Sequence, residues 1–161
     1  MKFAALGRTR ALCDSIAHLV DQGHECVLIG TSAAAPESDV TEGNFAALAN
    51  RYGSAFFCDL AINQQKYVDL ARKSGAEVAI SVNWKTLIHD AMLGVFEHGI
   101  INAHTGALPR YPATAPSNWA ILNGERKIVL TLHRMVEELD AGPILAQASL
   151  AIGDDTYIAD V

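Results

Sequence analysis

Short apolar runs alternate with helical segments along the first part of the chain. Strands are predicted at 2–6, 25–29, 55–58, 77–82 and 99–103, with helices at 9–22, 41–52, 63–73 and 88–94. This β-α-β order predicts an α/β protein with a mostly parallel sheet, helices on both faces and right-handed crossovers. Ligands of such sheets bind beyond the carboxyl ends of the strands, so polar residues there are the first candidates for a functional site.

Prolines interrupt the chain after this alternating region. They exclude a continuous helix over 105–115, which is therefore predicted to be a shaped loop. Pro116 suits the first turn of a helix ending near Gly124. The last predicted elements are two strands with a tight connection, at 127–135 and 143–151, and a helix from 154. A second, mobile loop is predicted over 30–40, where the residues are small, polar and include proline.

Length and composition indicate one globular domain. The 161 residues suffice for a substantial core, and 50% of them are apolar. We expect a single domain over 1–161, truncated at its C-terminus because the last helix is cut off at Val161. No apolar run reaches the roughly 18 residues of a membrane span, and the N-terminal run is too short for a signal peptide. We therefore expect a cytoplasmic protein.

The net charge of −6 argues against a nucleic-acid surface, which needs clustered Lys and Arg. It leaves room for a small anion held by Arg8 or Arg10, which follow the first strand, although an ordinary surface role for both is equally compatible. Only Gly7 of a dinucleotide-binding G-x-G-x-x-G motif is present there, which disfavours NAD. The three widely spaced cysteines give neither a disulfide framework nor a zinc pattern, and no metal is expected.

An amide and an imidazole come at the end of the fifth predicted strand. Asn102 and His104 are two residues apart in an extended segment, so their side chains point the same way. Asn supplies N–H donors, and His exchanges a proton near neutral pH. If His104 stood alone, a purely structural role would be the favoured interpretation. The turn Asp140-Ala141-Gly142 further along reverses that preference, because its small residues let backbone approach a ligand and its carboxylate favours a protonated, oriented imidazole.

His133 lies in the strand predicted at 127–135, on the opposite side to Leu132 and Arg134. We favour a buried structural role for it, with support of the functional site as the minor interpretation. Glu137 and Glu138 are interpreted as solvated residues of the acidic loop that precedes Asp140.

Four segments together resemble the formyltransferase family, which uses 10-formyltetrahydrofolate as donor. They are Asn102-x-His104, Leu108-Pro109-Arg110-Tyr111, the segment from Trp119 to Glu125, and the segment from Glu138 to Ile144. The resemblance is dense from 78 to 152 and only topological before 75. It implies the Rossmann-like formyltransferase fold and a catalytic domain that acts as a one-carbon transferase.

The resemblance also implies roles for particular residues. Asn102, His104 and Asp140 match the catalytic three of the family. Two segments match the family's pterin site. The segment that matches the pocket lining comprises Trp84, Lys85, Thr86, Leu87 and Ile88. The segment that matches the loop meeting the ring comprises the backbone of Val136, Glu137, Glu138 and Leu139.

Departures from the family pattern fall beside the acceptor. Pro112-Ala113 stands where Arg-Gly is common, and Thr105-Gly106-Ala107 stands where Ser-Leu is frequent. We expect a small-molecule amine acceptor, with a sugar nucleotide ranked ahead of glycinamide ribonucleotide and aminoacyl-tRNA. A 10-formyltetrahydrofolate hydrolase and a non-catalytic folate-binding domain are the alternatives. A homodimer is left open.

Overall fold

The computed structural model describes residues 1–34, 38–153 and 155–158. In these ranges the elements are β1 (Lys2–Gly7), α1 (Arg10–Asp21), β2 (Glu25–Thr31), α2 (Glu42–Tyr52), β3 (Ala55–Cys58), α3 (Gln65–Ser74), β4 (Val78–Val82), α4 (Asp90–Leu93), β5 (Ile100–His104), α5 (Pro116–Leu122), β6 (Lys127–Arg134) and β7 (Ile144–Ala151).

The strands form a seven-stranded sheet in the order β3-β2-β1-β4-β5-β6-β7. β1 pairs in parallel with β2 and with β4, and β2 pairs in parallel with β3. β6 and β7 are antiparallel, with Lys127 opposite Ala151 and Thr131 opposite Gln147. The prediction of an α/β fold with a mostly parallel sheet is therefore confirmed.

The chain forms two compact units, Met1–Ile101 and Asn102–Val161. In the first unit, the buried stripes of α1 and α2 share one apolar cluster with the first two strands. α1 contributes Leu12 and Ile16, and α2 contributes Phe45 and Ala49. Their spacing of four residues places each pair on one helix face, which explains why the helical periodicity was readable from the sequence.

Residues at the helix termini of the first unit explain where α2 begins and where α2 and α3 end. The backbone N–H of Thr41 donates to the side-chain oxygen of Asn44, and the two residues form a capping box at the start of α2. Gly53 and Gly75 end α2 and α3 in the left-handed conformation, with φ of 68° and 70°. The predicted ends of these helices are within two residues of the observed ones.

The structure corrects three predicted boundaries. β2 extends through Thr31 rather than ending at Ile29, because Gly30 pairs with Phe57 of β3 and its missing side chain makes room for the phenyl ring. β5 includes His104. Residues 155–158 contain no α-helix, whereas a helix was predicted from 154; residue 154 and residues 159–161 lie outside the described ranges. So do residues 35–37 of the loop predicted at 30–40.

Within the described ranges, no helix combines the length and the apolar character needed to cross a lipid bilayer.

Phe45 tests the packing of the first unit. Its side chain is 1% exposed, so Phe45→Ala removes buried surface and leaves a cavity. We expect the free energy of unfolding to fall by about 3–5 kcal/mol, measured by urea denaturation. Leu122→Ala, at a residue that is 75% exposed, is the control and is expected to change it by less than about 0.5 kcal/mol. Equal losses in the two variants would contradict this assignment of the core.

Candidate active site

Two elements of the second unit carry the predicted polar residues. Asn102 and His104 lie at the carboxyl end of β5, and Asp140 lies in the tight connection between β6 and β7. The structure brings these segments together: Nδ1 of His104 is 3.6 Å from Oδ2 of Asp140. Both side chains are 8% exposed. A carboxylate and an imidazole from distant parts of the sequence therefore share one largely buried site.

Asp140 is held by its own backbone and by the loop before α5. Its φ of 51° is left-handed, a conformation that aspartate tolerates better than most residues. Gly142 follows two residues later, where any side chain would collide with the carbonyl of Arg134. The backbone N–H of Ala113 donates to Asp140 Oδ2 at 2.8 Å. These constraints fix the carboxylate toward the imidazole.

His104 contacts an acceptor through each ring nitrogen. Nε2 lies 2.7 Å from the carbonyl oxygen of Tyr111, which can only accept, so Nε2 carries a hydrogen. Nδ1 faces Asp140 at a distance longer than a hydrogen bond. The ring therefore exposes Nδ1, rather than Nε2, to the carboxylate side of the site.

His133 belongs to the same cluster, although the sequence favoured a purely structural role. It is 1% exposed, and its Nε2 lies 3.1 Å from the amide nitrogen of Asn102 and 3.5 Å from Oδ1 of Asp140. Burial lowers the pKa of His133, against the opposing effect of Asp140. A neutral ring accepts from the Asn102 amide through Nε2, which places the proton on Nδ1. The alternation of β6 was the signal: it placed His133 on the side away from exposed Arg134.

The lowered pKa of His133 predicts a pH-dependent stability. Because the folded-state pKa lies below the usual 6.5, the unfolded chain binds more protons just below that pH. We expect the free energy of unfolding to fall as pH drops below about 6.5, by up to about 1.4 kcal/mol per pH unit from this residue. Urea denaturation between pH 7.5 and pH 5 measures the slope.

His133→Gln should flatten that slope. His98→Gln removes an exposed imidazole in the first unit and is the matched control. An unchanged slope in His133→Gln would show that His133 is not the group responsible.

The segment predicted to line a pterin pocket lies in the first unit. Trp84 Nε1 donates to Thr86 Oγ1 at 3.0 Å, and Thr86 Oγ1 donates to the carbonyl of Leu60 at 3.1 Å. Leu87 is exposed, whereas Ile88 is 2% exposed and packs in the core. A largely apolar cleft of about 650 Å³ adjoins the segment. Its lining consists of Leu60, Ala61, Asn63, Gln64, Thr86, Leu87 and His89.

The second predicted pterin segment, 136–139, lies in the other unit and is exposed throughout. Glu137 and Glu138 are solvent-exposed, as the sequence indicated. Val136 and Leu139 are also exposed.

The two arginines after β1 differ in their surroundings. Arg10 forms an ion pair with Asp39, which raises the pKa of Arg10 and lowers that of Asp39. Nε and Nη1 of Arg8 are shielded from water and have no hydrogen-bond partner in the described part of the chain. Arg8 therefore differs from Arg10 in having no partner at these two nitrogens in the part of the chain that the structure describes.

The fold is of the α/β class, and an imidazole and a carboxylate meet in one largely buried site of the second unit. The profile of the formyl transferase family matches residues 1–160. The chain therefore belongs to the formyl transferase family, and the predicted enzyme class is confirmed.

Solved structures show the same fold. A phosphoribosylglycinamide formyltransferase from Bacillus halodurans is 18% identical, with a TM-score of 0.80 over 99% of this chain and 84% of that one. A sugar N-formyltransferase from a Shewanella species is 20% identical, with a TM-score of 0.68 over 95% of this chain and 58% of that one. A formyltetrahydrofolate deformylase from Pseudomonas syringae is 18% identical, with a TM-score of 0.79 over 99% and 53%.

Proposed function

We propose that this protein transfers the formyl group of 10-formyltetrahydrofolate to the primary amine of a small molecule. The observation that carries the proposal is the cluster of Asn102, His104, His133 and Asp140 in one buried site. The cluster combines an amide donor with a carboxylate and an imidazole, and the last two can share a proton. Groups of these types move protons and stabilise developing negative charge in acyl transfer.

The chain has room for the donor. Ligand pockets in proteins are commonly about 300–1,000 Å³ and mostly apolar, and the cleft beside Thr86 and Leu87 falls in that range at about 650 Å³. We propose that this cleft and residues 84–88 hold part of the folate. For the backbone at 136–139, which is exposed in the second unit, a contact with the pterin ring stays a prediction from the family resemblance.

Asn102 is proposed to stabilise the oxygen of the formyl group as negative charge develops on it. One amide hydrogen is engaged with Nε2 of His133, and the other has no partner in the described residues. The contact with His133 holds the amide in place before the reaction begins, which is the condition for effective stabilisation of a developing charge.

His104 and Asp140 are proposed to manage the protons. The amine nitrogen bonds to the formyl carbon and gives a tetrahedral intermediate, and the bond from that carbon to the folate nitrogen then breaks. The amine loses one proton and the folate nitrogen gains one. Asp140 accepts the proton of the amine and passes it to Nδ1 of His104, 3.6 Å away, which donates it to the leaving nitrogen.

Variants of these two residues test the proposal. We expect His104→Ala and Asp140→Asn to lower kcat for formyl transfer by about 10²–10³, because each removes a group that acts on developing charge or on a proton. The rate is followed by the absorbance of released tetrahydrofolate, and folding by circular dichroism. Asp69→Asn, at an exposed carboxylate, is the control. Near-normal kcat in either site variant would contradict the assigned role.

The surroundings of Arg8 favour an acceptor that carries a phosphate group, as a sugar nucleotide does. A guanidinium with shielded, unpartnered nitrogens gains more from an anion than one already paired. We expect Arg8→Gln to raise KM at least tenfold for a phosphorylated amine and to leave KM for the same amine without phosphate unchanged. Arg10→Gln removes the arginine paired with Asp39 and is the matched control. Equal effects on both amines would argue against a phosphate contact.

Hydrolysis of the same donor is the second candidate, because formyltetrahydrofolate deformylases share the fold as closely as the transferases do. Water then replaces the amine, and formate is released without an acceptor. A screen of amines with 10-formyltetrahydrofolate distinguishes the outcomes: acceptor-dependent release of tetrahydrofolate supports transfer, and acceptor-independent formate supports hydrolysis. Folate binding without either product would indicate a non-catalytic domain.

A further inference from the structure

The hydrogen bond from His104 to the carbonyl of Tyr111 decides which ring nitrogen faces Asp140. With Nε2 donating to that carbonyl at 2.7 Å, Nδ1 is left toward the carboxylate. A ring turned by half a rotation about its Cβ–Cγ bond would change both contacts. The position of one backbone carbonyl therefore controls the orientation of the imidazole.

That carbonyl belongs to a residue whose side chain is held from several directions. The Tyr111 hydroxyl donates to Glu125 Oε1 at 2.8 Å and accepts from Asn123 Nδ2 at 3.2 Å. Arg110 pairs with the same Glu125 oxygen at 2.6 Å, and its guanidinium lies 5.1 Å from the centre of the Tyr111 ring. The backbone N–H of Tyr111 also donates to the carbonyl of Ala107. These contacts fix Tyr111 in one place.

Gly106 makes the close approach between His104 and Tyr111 feasible. A Cβ at this position would lie 2.5 Å from His104 Nε2 and 2.5 Å from the Tyr111 carbonyl oxygen. Ordinary Cβ contacts are much longer, so any side chain here would push the donor and acceptor apart. The contact between His104 and Tyr111 therefore depends on glycine at position 106.

We propose that Tyr111 is a positioning residue for His104. Its hydroxyl bond to Glu125 holds the carbonyl that keeps the hydrogen on Nε2, so that Nδ1 is the nitrogen that gains and loses the proton on the Asp140 side. This inference rests on the proposed formyl transfer for its catalytic meaning. The tautomer itself is a property of the protein without substrates, because all of the contacts are internal to the second unit.

Long-range ¹H–¹⁵N NMR of the full chain reads the tautomer directly. Spectra are recorded without substrates near pH 9, above the usual titration range of imidazole. The resonances of His104 are assigned by their loss in His104→Gln. We expect the neutral ring to carry its hydrogen on Nε2. A ring with its hydrogen on Nδ1 would overturn the proposal.

Tyr111→Phe removes the tether and keeps the ring. We expect a mixture of the two tautomers and a kcat about threefold to tenfold lower, the loss typical of one hydrogen bond, with KM for 10-formyltetrahydrofolate changed less than twofold. Glu125→Gln keeps an acceptor for the hydroxyl and should stay close to the wild type, whereas Glu125→Ala should resemble Tyr111→Phe. Tyr52→Phe, in the first unit, is the matched control.

Gly106→Ala supplies an independent test that leaves the tyrosine hydroxyl in place. It is expected to shift the tautomer as Tyr111→Phe does, and Glu125→Ala keeps the proposal testable if Tyr111→Phe does not fold. An unchanged tautomer in the folded variants would overturn the proposal. Because the spectra need no substrate, failure to detect formyl transfer in the wild type would refute the proposed function without deciding the tautomer.

Discussion

The site depends on the contacts that the carboxylate of Asp140 makes. One oxygen accepts a backbone N–H from Ala113 and faces His104, and the other faces His133. A buried charge of this kind is stable only when hydrogen bonds and nearby cations replace the lost water. The turn between β6 and β7, the loop before α5 and the end of β5 must therefore all be in place before the carboxylate can be accommodated. The site is a product of the complete second unit.

The loop between β5 and α5 shows how local backbone conformation serves that carboxylate. Ala113 has φ of 69°, in the left-handed region that a Cβ disfavours, and presents its N–H to Asp140. Glycine adopts this conformation at no steric cost. The alanine costs the folded state about 1 kcal/mol, which the bond to a charged acceptor offsets.

Sequence patterns predicted the architecture well because the relevant information was local. Apolar runs, the capping residue Thr41 and the terminal glycines Gly53 and Gly75 each act within a few residues of the chain. The ends of β2 and β5 were less predictable, because strand length depends on the partner strand and Gly30 is also a common turn residue. The spacing of Asn102, His104 and Asp140 indicated the site, and the structure brings them together. The alternation of β6 indicated that His133 is buried, whereas its contacts with Asn102 and Asp140 come from distant parts of the sequence and left both roles open. The contact from His104 to a backbone carbonyl has no signature in the side chains.

The imidazole of His133 is 1% exposed, and its burial disfavours the charged form of the ring. Moving a polar side chain from water into a protein interior opposes folding unless hydrogen bonds replace its contacts with water. An apolar residue of similar shape would relieve that cost and would lose the acceptor that orients the amide of Asn102. His133 therefore sets a cost in folding free energy against an Asn102 amide that is already oriented before any ligand is present.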